Sequence, residues 1–335
     1  LIADIATQHI YTGVDCFHLN DFQSALVEFE MSLALEENPY ARWNRALVLL
    51  SLGRYEGFAD WGVSRQIFRS QLSEDGQWLQ RNLRPWRGEH EPVVILADAG
   101  FGDWIQLARF IPMIRAIAGR VVLELPAPLA RLGSQLAPVE IDETIRYAAP
   151  MFDAVAVLEP TVETIPPPPY LTPDPALLAQ WANRIGAHEK RRRIGIAWSV
   201  KLTSEHEHPN AKREIPLDQF LSLLNAPPDC ELYSLQTQES DKARANNVHT
   251  FGLHDFADVV ALASLMDVVV SVDTAMLHAA GAIDHPATFG LLPYAATWRW
   301  LHGNWYPRIT LCQQKSPGDW AGPFDLMRSR LWSHF

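Results

Sequence analysis

The run Ser271-Val272-Asp273-Thr274-Ala275-Met276-Leu277-His278-Ala279-Ala280-Gly281-Ala282 follows the apolar stretch Val268–Val270. An apolar stretch that gives way to small residues reads as a strand feeding a helix N-terminus. Free backbone N–H groups and the positive end of the helix dipole meet there, beside the Thr274 hydroxyl, and an anion such as a diphosphate can dock. Another turn, Asp98-Ala99-Gly100-Phe101-Gly102-Asp103, follows the apolar run Val93–Ala97 about 170 residues earlier. Gly100 and Gly102 allow backbone to approach a ligand or simply close the turn. Two such turns predict two α/β units facing one cleft, with a nucleotide as ligand.

Between the two turns lies a polar loop ending in Lys212-Arg213-Glu214-Ile215-Pro216. Lys201, Lys212 and Arg213 are the cations available to a phosphate, or else the side chains of a solvated loop. His278 lies one helical turn beyond Thr274 on the same face, placed either to donate to a ligand or to pack its helix. Gln236, at the end of the expected strand Glu231–Leu235, is a candidate contact to a nucleotide base or sugar. His206-Glu207-His208 lacks the helical spacing and third ligand of a zinc site, and no Asp-x-Asp motif occurs to bridge a diphosphate through metal. No metal or other cofactor is expected. Gly-x-Ser-x-Gly and Walker-type loops are absent, and the glycine turn lacks the third glycine of a dinucleotide fingerprint, so the corresponding hydrolases, NTPases and dehydrogenases find little support.

These residues need a scaffold, and 335 residues suffice for two or three compact units. The chain is 48% hydrophobic and 20% charged, with no apolar run of membrane-spanning length. Its net charge of −11 disfavours a general nucleic-acid binder. Cys16, Cys230 and Cys312 are far apart, so neither a disulfide framework nor a zinc site is indicated, and a reducing, cytoplasmic location is expected. Because the chain starts at Leu1 rather than Met, a leader cannot be read from it.

Residues 1–88 read as helical and weakly repetitive. Gly13…Leu19-Asn20-Asp21-Phe22…Ala25 recurs at an offset of 33 as Ala46…Leu52-Gly53-Arg54-Tyr55…Phe58. That period matches the tetratricopeptide repeat of about 34 residues, with small residues where helices cross. The region is either a peptide-binding repeat array or a plain helical cap. In the segment 89–165, Val93–Ala97, Val121–Leu125 and Ala154–Leu158 read as strands, with helices at Trp104–Ala118 and Pro128–Leu136. The run Thr164-Ile165-Pro166-Pro167-Pro168-Pro169-Tyr170-Leu171-Thr172-Pro173 reads as an extended linker. In 166–335, strands are expected at Arg193–Trp198, Glu231–Leu235, Val268–Ser271 and Ala287–Leu292, and helices at Leu217–Leu224, Phe256–Leu265 and Thr274–Ala282. Trp298, Trp300, Trp305, Trp320 and Trp332 are expected to pack a returning C-terminal segment rather than face ligand.

Four segments in this order resemble the heptosyltransferase-like (family 9 type) glycosyltransferases, especially members fused behind tetratricopeptide repeats: 99–110 around Gly100-Phe101-Gly102-Asp103; Ile194-Gly195-Ile196-Ala197-Trp198; Ser271–Ala282; and Leu292-Pro293…Trp298-Arg299-Trp300…Trp305-Tyr306-Pro307. The resemblance implies a GT-B architecture of two Rossmann-like domains, a reduced acceptor-side one at 89–165 and a nucleotide-sugar one at 166–335, behind tetratricopeptide-like hairpins at 1–88. It implies inverting, metal-independent transfer of a sugar from a nucleotide donor, with a protein, peptide or surface glycan as acceptor. It places the family's acidic residue at Asp103, as general base, although an aspartate there also suits a helix cap. Backbone N–H groups of Thr274, Ala275 and Met276 would meet phosphate oxygens beside Asp273, although the family often has glycine where Ala275 stands. Arg213, just before Ile215-Pro216, would reach the phosphates. The alternatives are a catalytically inactive scaffold and a sugar-nucleotide epimerase of the same fold.

Overall fold

A computed structural model describes residues 2–64, 72–186, 191–200, 208–237, 240–301 and 305–331. The chain divides into two compact units. One comprises Leu1–Pro126, Gly133–Pro166 and Ala295–Trp305; the other comprises Ala127–Leu132, Pro167–Tyr294 and Tyr306–Phe335.

The first unit begins with helices α1 (Ile2–His18), α2 (Phe22–Leu35), α3 (Pro39–Ser51), α4 (Gly57–Ser64) and α5 (Glu74–Asn82). Their starts are written in the sequence. Asp21 caps α2 through the Ser24 N–H at 3.1 Å, and Asn38 caps α3 with Pro39 in its first turn. Small residues allow the helices to approach: a Cβ on Gly13 would lie 2.7 Å from the Phe29 ring, and one on Gly57 would lie 2.7 Å from the Ala46 carbonyl. A parallel sheet follows, built from β1 (Arg84–Pro85), β2 (Val93–Leu96), β3 (Val121–Glu124) and β4 (Tyr147–Pro150) in the order β1-β4-β2-β3. β2 is buried throughout, as a strand between two neighbours must be. The chain goes from β2 to β3 on one side and then to β4 on the other, so the loop after β2 sits at the point where strand order reverses.

That loop leads into α6 (Phe101–Leu107) and, after a 3-10 turn at Ala108–Phe110, α7 (Ile111–Ala118). The continuous helix expected over Trp104–Ala118 is interrupted because Pro112 has no N–H to donate and clashes with the preceding turn. A larger correction concerns Ala154–Leu158, expected as a strand. The strand is β4, and the apolar run after it belongs to helix α9 (Met151–Val157), whose first N–H is bonded to Asp98 at 3.0 Å. α8 (Ala127–Gly133) counts almost wholly with the second unit. An aromatic core includes Trp61 stacked on Phe152 at 3.9 Å, and Phe58 edge-on to Trp298 at 5.7 Å; Trp298 opens α15 (Trp298–Leu301).

The second unit holds α10 (Pro175–Ile185), α11 (Leu217–Leu224), α12 (Asp241–Ala245), α13 (Phe256–Ala263), α14 (Ala275–Ala282) and α16 (Ala321–Leu331). Its six parallel strands are β5 (Arg192–Ala197), β6 (Cys230–Ser234), β7 (Val248–His249), β8 (Val268–Val272), β9 (Thr288–Leu292) and β10 (Ile309–Gln313), ordered β10-β9-β8-β5-β6-β7. From β5 the chain steps outward through β6 and β7, then returns to place β8 against the other edge of β5, with Ala197 opposite Ser271. The reversal therefore falls between β5 and β8. The core joins Ile194, Ile196, Val270 and Leu291 to Phe220, Trp320 and Phe324. Trp298, Trp300 and Trp305 are buried in the first unit and Trp320 in the second, whereas Trp332 lies outside the described residues. Among the described residues no helix is long and apolar enough to cross a membrane.

Candidate functional site

In parallel α/β sheets, ligands bind beyond the strand C-termini where strand order reverses. In the second unit that place is occupied by the ends of β5 and β8. The sequence leaves β8 at Val272, and Thr274 is the N-cap of α14, with extended dihedrals of −140° and 171°. Its hydroxyl accepts the Met276 N–H at 3.1 Å and lies 3.2 Å from the Ser271 hydroxyl. The Ser271 hydroxyl donates to the Val272 carbonyl at 2.7 Å, so the Thr274 hydroxyl donates to Ser271. The turn is thus rigid before any ligand arrives. Met276 N–H, one of the three expected phosphate donors, is already engaged, which leaves Thr274 and Ala275 as the better placed pair.

Asp273 is 3% exposed, and among the described residues its Oδ2 has no hydrogen-bond partner. Its backbone carbonyl accepts from Arg213 Nη1 at 3.4 Å. Arg213 reaches that position because the Ile215 N–H donates to the Trp198 carbonyl at 3.0 Å, pinning the loop to the end of β5. Arg213 is half-buried while Lys212 is exposed. Lys201 lies outside the described residues, as do His206 and Glu207. The His208 ring nitrogen accepts the Asn210 N–H at 3.2 Å, capping a short turn.

Two other candidates make hydrogen bonds within the fold. The Gln236 amide oxygen accepts the Trp198 and Ser199 N–H groups, each at 3.0 Å, and its nitrogen donates to the Ser199 hydroxyl at 3.3 Å. This ties the end of β6 to the end of β5. His278 is 2% exposed, and its Nδ1 lies 3.1 Å from the Tyr306 hydroxyl, which in turn lies 3.2 Å from that of Tyr170. Gly281 admits the Tyr306 ring, which a Cβ would approach to 2.3 Å.

In the first unit the corresponding place is the loop after β2. Gly100 is the N-cap of α6, with φ −63° and ψ 158°, angles open to any residue. Its value is room, because a Cβ would lie 3.3 Å from Asp103 Oδ2. Gly102 falls in the first turn of α6 and is partly buried. Asp103 stands at the third helical position, not at the cap, and its Oδ2 accepts the Gly100 N–H at 3.1 Å. Its Oδ1 accepts from Arg299 Nε at 2.6 Å and also from Nη2. Arg299 is the site residue that residue-by-residue sequence reading missed; its signal was the Trp298-Arg299-Trp300 run.

No family model matches the chain. Two parallel sheets with associated helices make an α/β fold consistent with the GT-B type. The glycosyltransferase family 9 structure from Veillonella parvula matches at TM-score 0.55 and 9% identity, over 75% of this chain and 98% of that one. ADP-heptose lipopolysaccharide heptosyltransferase II of Escherichia coli gives TM-score 0.46 and 12% identity, over 73% and 100%. Protein FlbA of Caulobacter vibrioides is 25% identical over 351 aligned positions, covering 90% of this chain and 57% of FlbA. The chain thus spans little more than half the length of that relative.

Proposed function

We propose that this protein is a glycosyltransferase, moving a sugar from a nucleotide-activated donor to an acceptor hydroxyl with inversion and without metal. The observation that carries this is the Arg213 guanidinium on the Asp273 carbonyl, at the start of α14, where strand order reverses. A cation, a helix N-terminus and a buried carboxylate there suit a nucleoside diphosphate: dipole and guanidinium for the phosphates, Asp273 for a hydroxyl. The likeness in fold to a family 9 glycosyltransferase supports the same reading.

In the reaction the acceptor hydroxyl gives its proton to Asp103 as its oxygen bonds to the anomeric carbon. The bond from that carbon to the diphosphate oxygen breaks, and the diphosphate leaves with the electron pair. Arg213, Lys212 and the N–H groups at Thr274 and Ala275 offset its charge. Helices α1–α4 act as tetratricopeptide-like hairpins that hold a protein or peptide acceptor, and the three free cysteines suit a cytoplasmic enzyme.

One observation favours a second reading. Both Asp103 oxygens already have donors, a structural role that a non-catalytic scaffold would retain. A thermal-shift panel of ADP, UDP, GDP, CDP and CMP, with and without magnesium, tests the donor site. Ligand at 100 times its dissociation constant adds about 2.7 kcal/mol. A magnesium-independent shift with one nucleotide is expected; no shift with any would leave the scaffold reading.

A further inference from the structure

Asp103 and Arg299 are 196 residues apart in sequence and belong to the same unit. Each side chain is only 15% exposed. Arg299 commits Nε and Nη2 to a single oxygen, Oδ1, while Oδ2 holds the Gly100 N–H. The guanidinium is itself fixed from behind, 4.8 Å from the centre of the Trp298 ring. Trp298 is 1% exposed and wedged edge-on against Phe58 and Trp305, at 5.7 and 5.9 Å. A rigid line of contacts thus runs from the aromatic core through Trp298 and Arg299 to the Asp103 carboxylate.

A largely desolvated ion pair of this kind contributes little net stability. The cost of removing two charges from solvent cancels much of their attraction, and an apolar pair of the same volume often serves as well. What the arrangement supplies is direction. Nε and Nη2 converging on Oδ1, with a third donor on Oδ2, leave the carboxylate one orientation, and Oδ2 retains a lone pair.

We propose that Arg299 is the positioning residue of the transfer reaction, holding Asp103 so that Oδ2 takes the acceptor's proton. The inference rests on the glycosyl-transfer reading, and within it assigns Arg299 no contact with donor or acceptor. As the acceptor O–H bond breaks, its proton passes to Oδ2. The acceptor oxygen bonds to the anomeric carbon, and the nucleoside diphosphate departs with the electrons of the broken glycosidic bond. Arg299 stays on Oδ1 throughout.

The test uses the full chain with ADP-glucose, UDP-N-acetylglucosamine, UDP-glucose and GDP-mannose as donors and water as acceptor, reading nucleoside diphosphate release. Arg299→Gln, Arg299→Lys, Asp103→Asn and the double variant are compared with wild type. A displaced base costs on the order of 100-fold in rate. Arg299→Gln should lose about that much kcat with donor KM within about threefold. Arg299→Lys, which keeps a cation but not the two-pronged geometry, should recover part of the loss. Asp103→Asn should lose as much, and adding Arg299→Gln to it should cost nothing more. The thermal shift given by the nucleoside diphosphate should be the same in all five proteins, which also verifies folding.

A further loss in the double variant, a changed donor KM, or an unimpaired Arg299→Gln enzyme overturns this proposal alone. A wild type that binds a nucleoside diphosphate yet releases none from any donor overturns the transfer reading, and this proposal with it.

Discussion

Lys212 and Arg213 carry the same charge at adjacent positions, yet the fold uses them differently. Arg213 is half-buried on the Asp273 carbonyl, and Lys212 is exposed. A charge-assisted hydrogen bond in a partly desolvated place contributes about 1.5–3 kcal/mol, whereas an exposed charge is screened. Arg213→Ala should therefore weaken nucleoside diphosphate binding about 10- to 100-fold by calorimetry, and Lys212→Ala by less than about threefold. Equal losses would show that the loop works only through its summed charge. The sequence presented Lys201, Lys212 and Arg213 as alternatives because charge is readable and burial is not. Cys312 is another residue whose behaviour depends on its surroundings. It is fully buried, and burial pushes its thiol up to about 11. Since the thiolate is the reactive form, iodoacetamide at pH 8 should leave Cys312 unmodified until the protein is denatured, as peptide mapping would reveal.

Helix α14 is the element on which the proposed donor site depends, and its packing leaves little tolerance. A Cβ on Gly281 would meet the Tyr306 ring at 2.3 Å, inside any real contact. Gly281→Ala should cost about 1–3 kcal/mol, a fall of several degrees in Tm by calorimetry. The connection from α14 to β9 carries a titrating group as well. His285 Nδ1 accepts the Ala287 N–H at 3.3 Å, Nε2 faces the Met266 carbonyl at 3.0 Å, and burial pushes the imidazole below its usual value. The unfolded chain takes up this proton near pH 6.5 and the folded chain does so only lower, so the unfolded state binds more protons between the two. The stability that His285 contributes is present above about pH 6.5 and is lost as pH falls through that window. His285→Gln should flatten the fall in Tm between pH 7 and pH 5; an unchanged slope would assign the acid sensitivity elsewhere. Strands were legible where apolar runs lay between turn residues, as at Val93–Leu96 and Val268–Val272. As a short apolar run Ala154–Leu158 fits strand and helix equally, and the structure places most of it in α9, whose Met151 N–H donates to Asp98.

At the scale of the whole molecule, chain order and spatial order part company at residues 295–305, which complete the first unit although most of that unit lies before residue 166. Arg109 shows the consequence. It is 1% exposed and donates to the carbonyls of Gln106, Pro166 and Trp305, at 2.9, 3.1 and 2.9 Å, so one of its acceptors lies 196 residues away. A fragment of residues 1–166 would leave that cation short of an acceptor and Phe58 without Trp298. It should bind a hydrophobic dye and melt without a cooperative transition, while the full chain melts cooperatively. A sharply melting fragment would make 295–305 dispensable. By itself the sequence determined the local physics: the strand-to-helix turns at 98–103 and 271–276, the caps at Asp21 and Asn38, and the small residues at helix crossings. These depend on neighbours within a few positions, where residue type dictates conformation. The tertiary structure alone decided that Asp103 meets Arg299, that Arg213 rather than Lys212 reaches the α14 turn, that Gln236 bonds the end of β5, and that His278 meets Tyr306. Each of these pairings closes a chain segment of 28 to 196 residues, and only the completed cores fix which side chains meet.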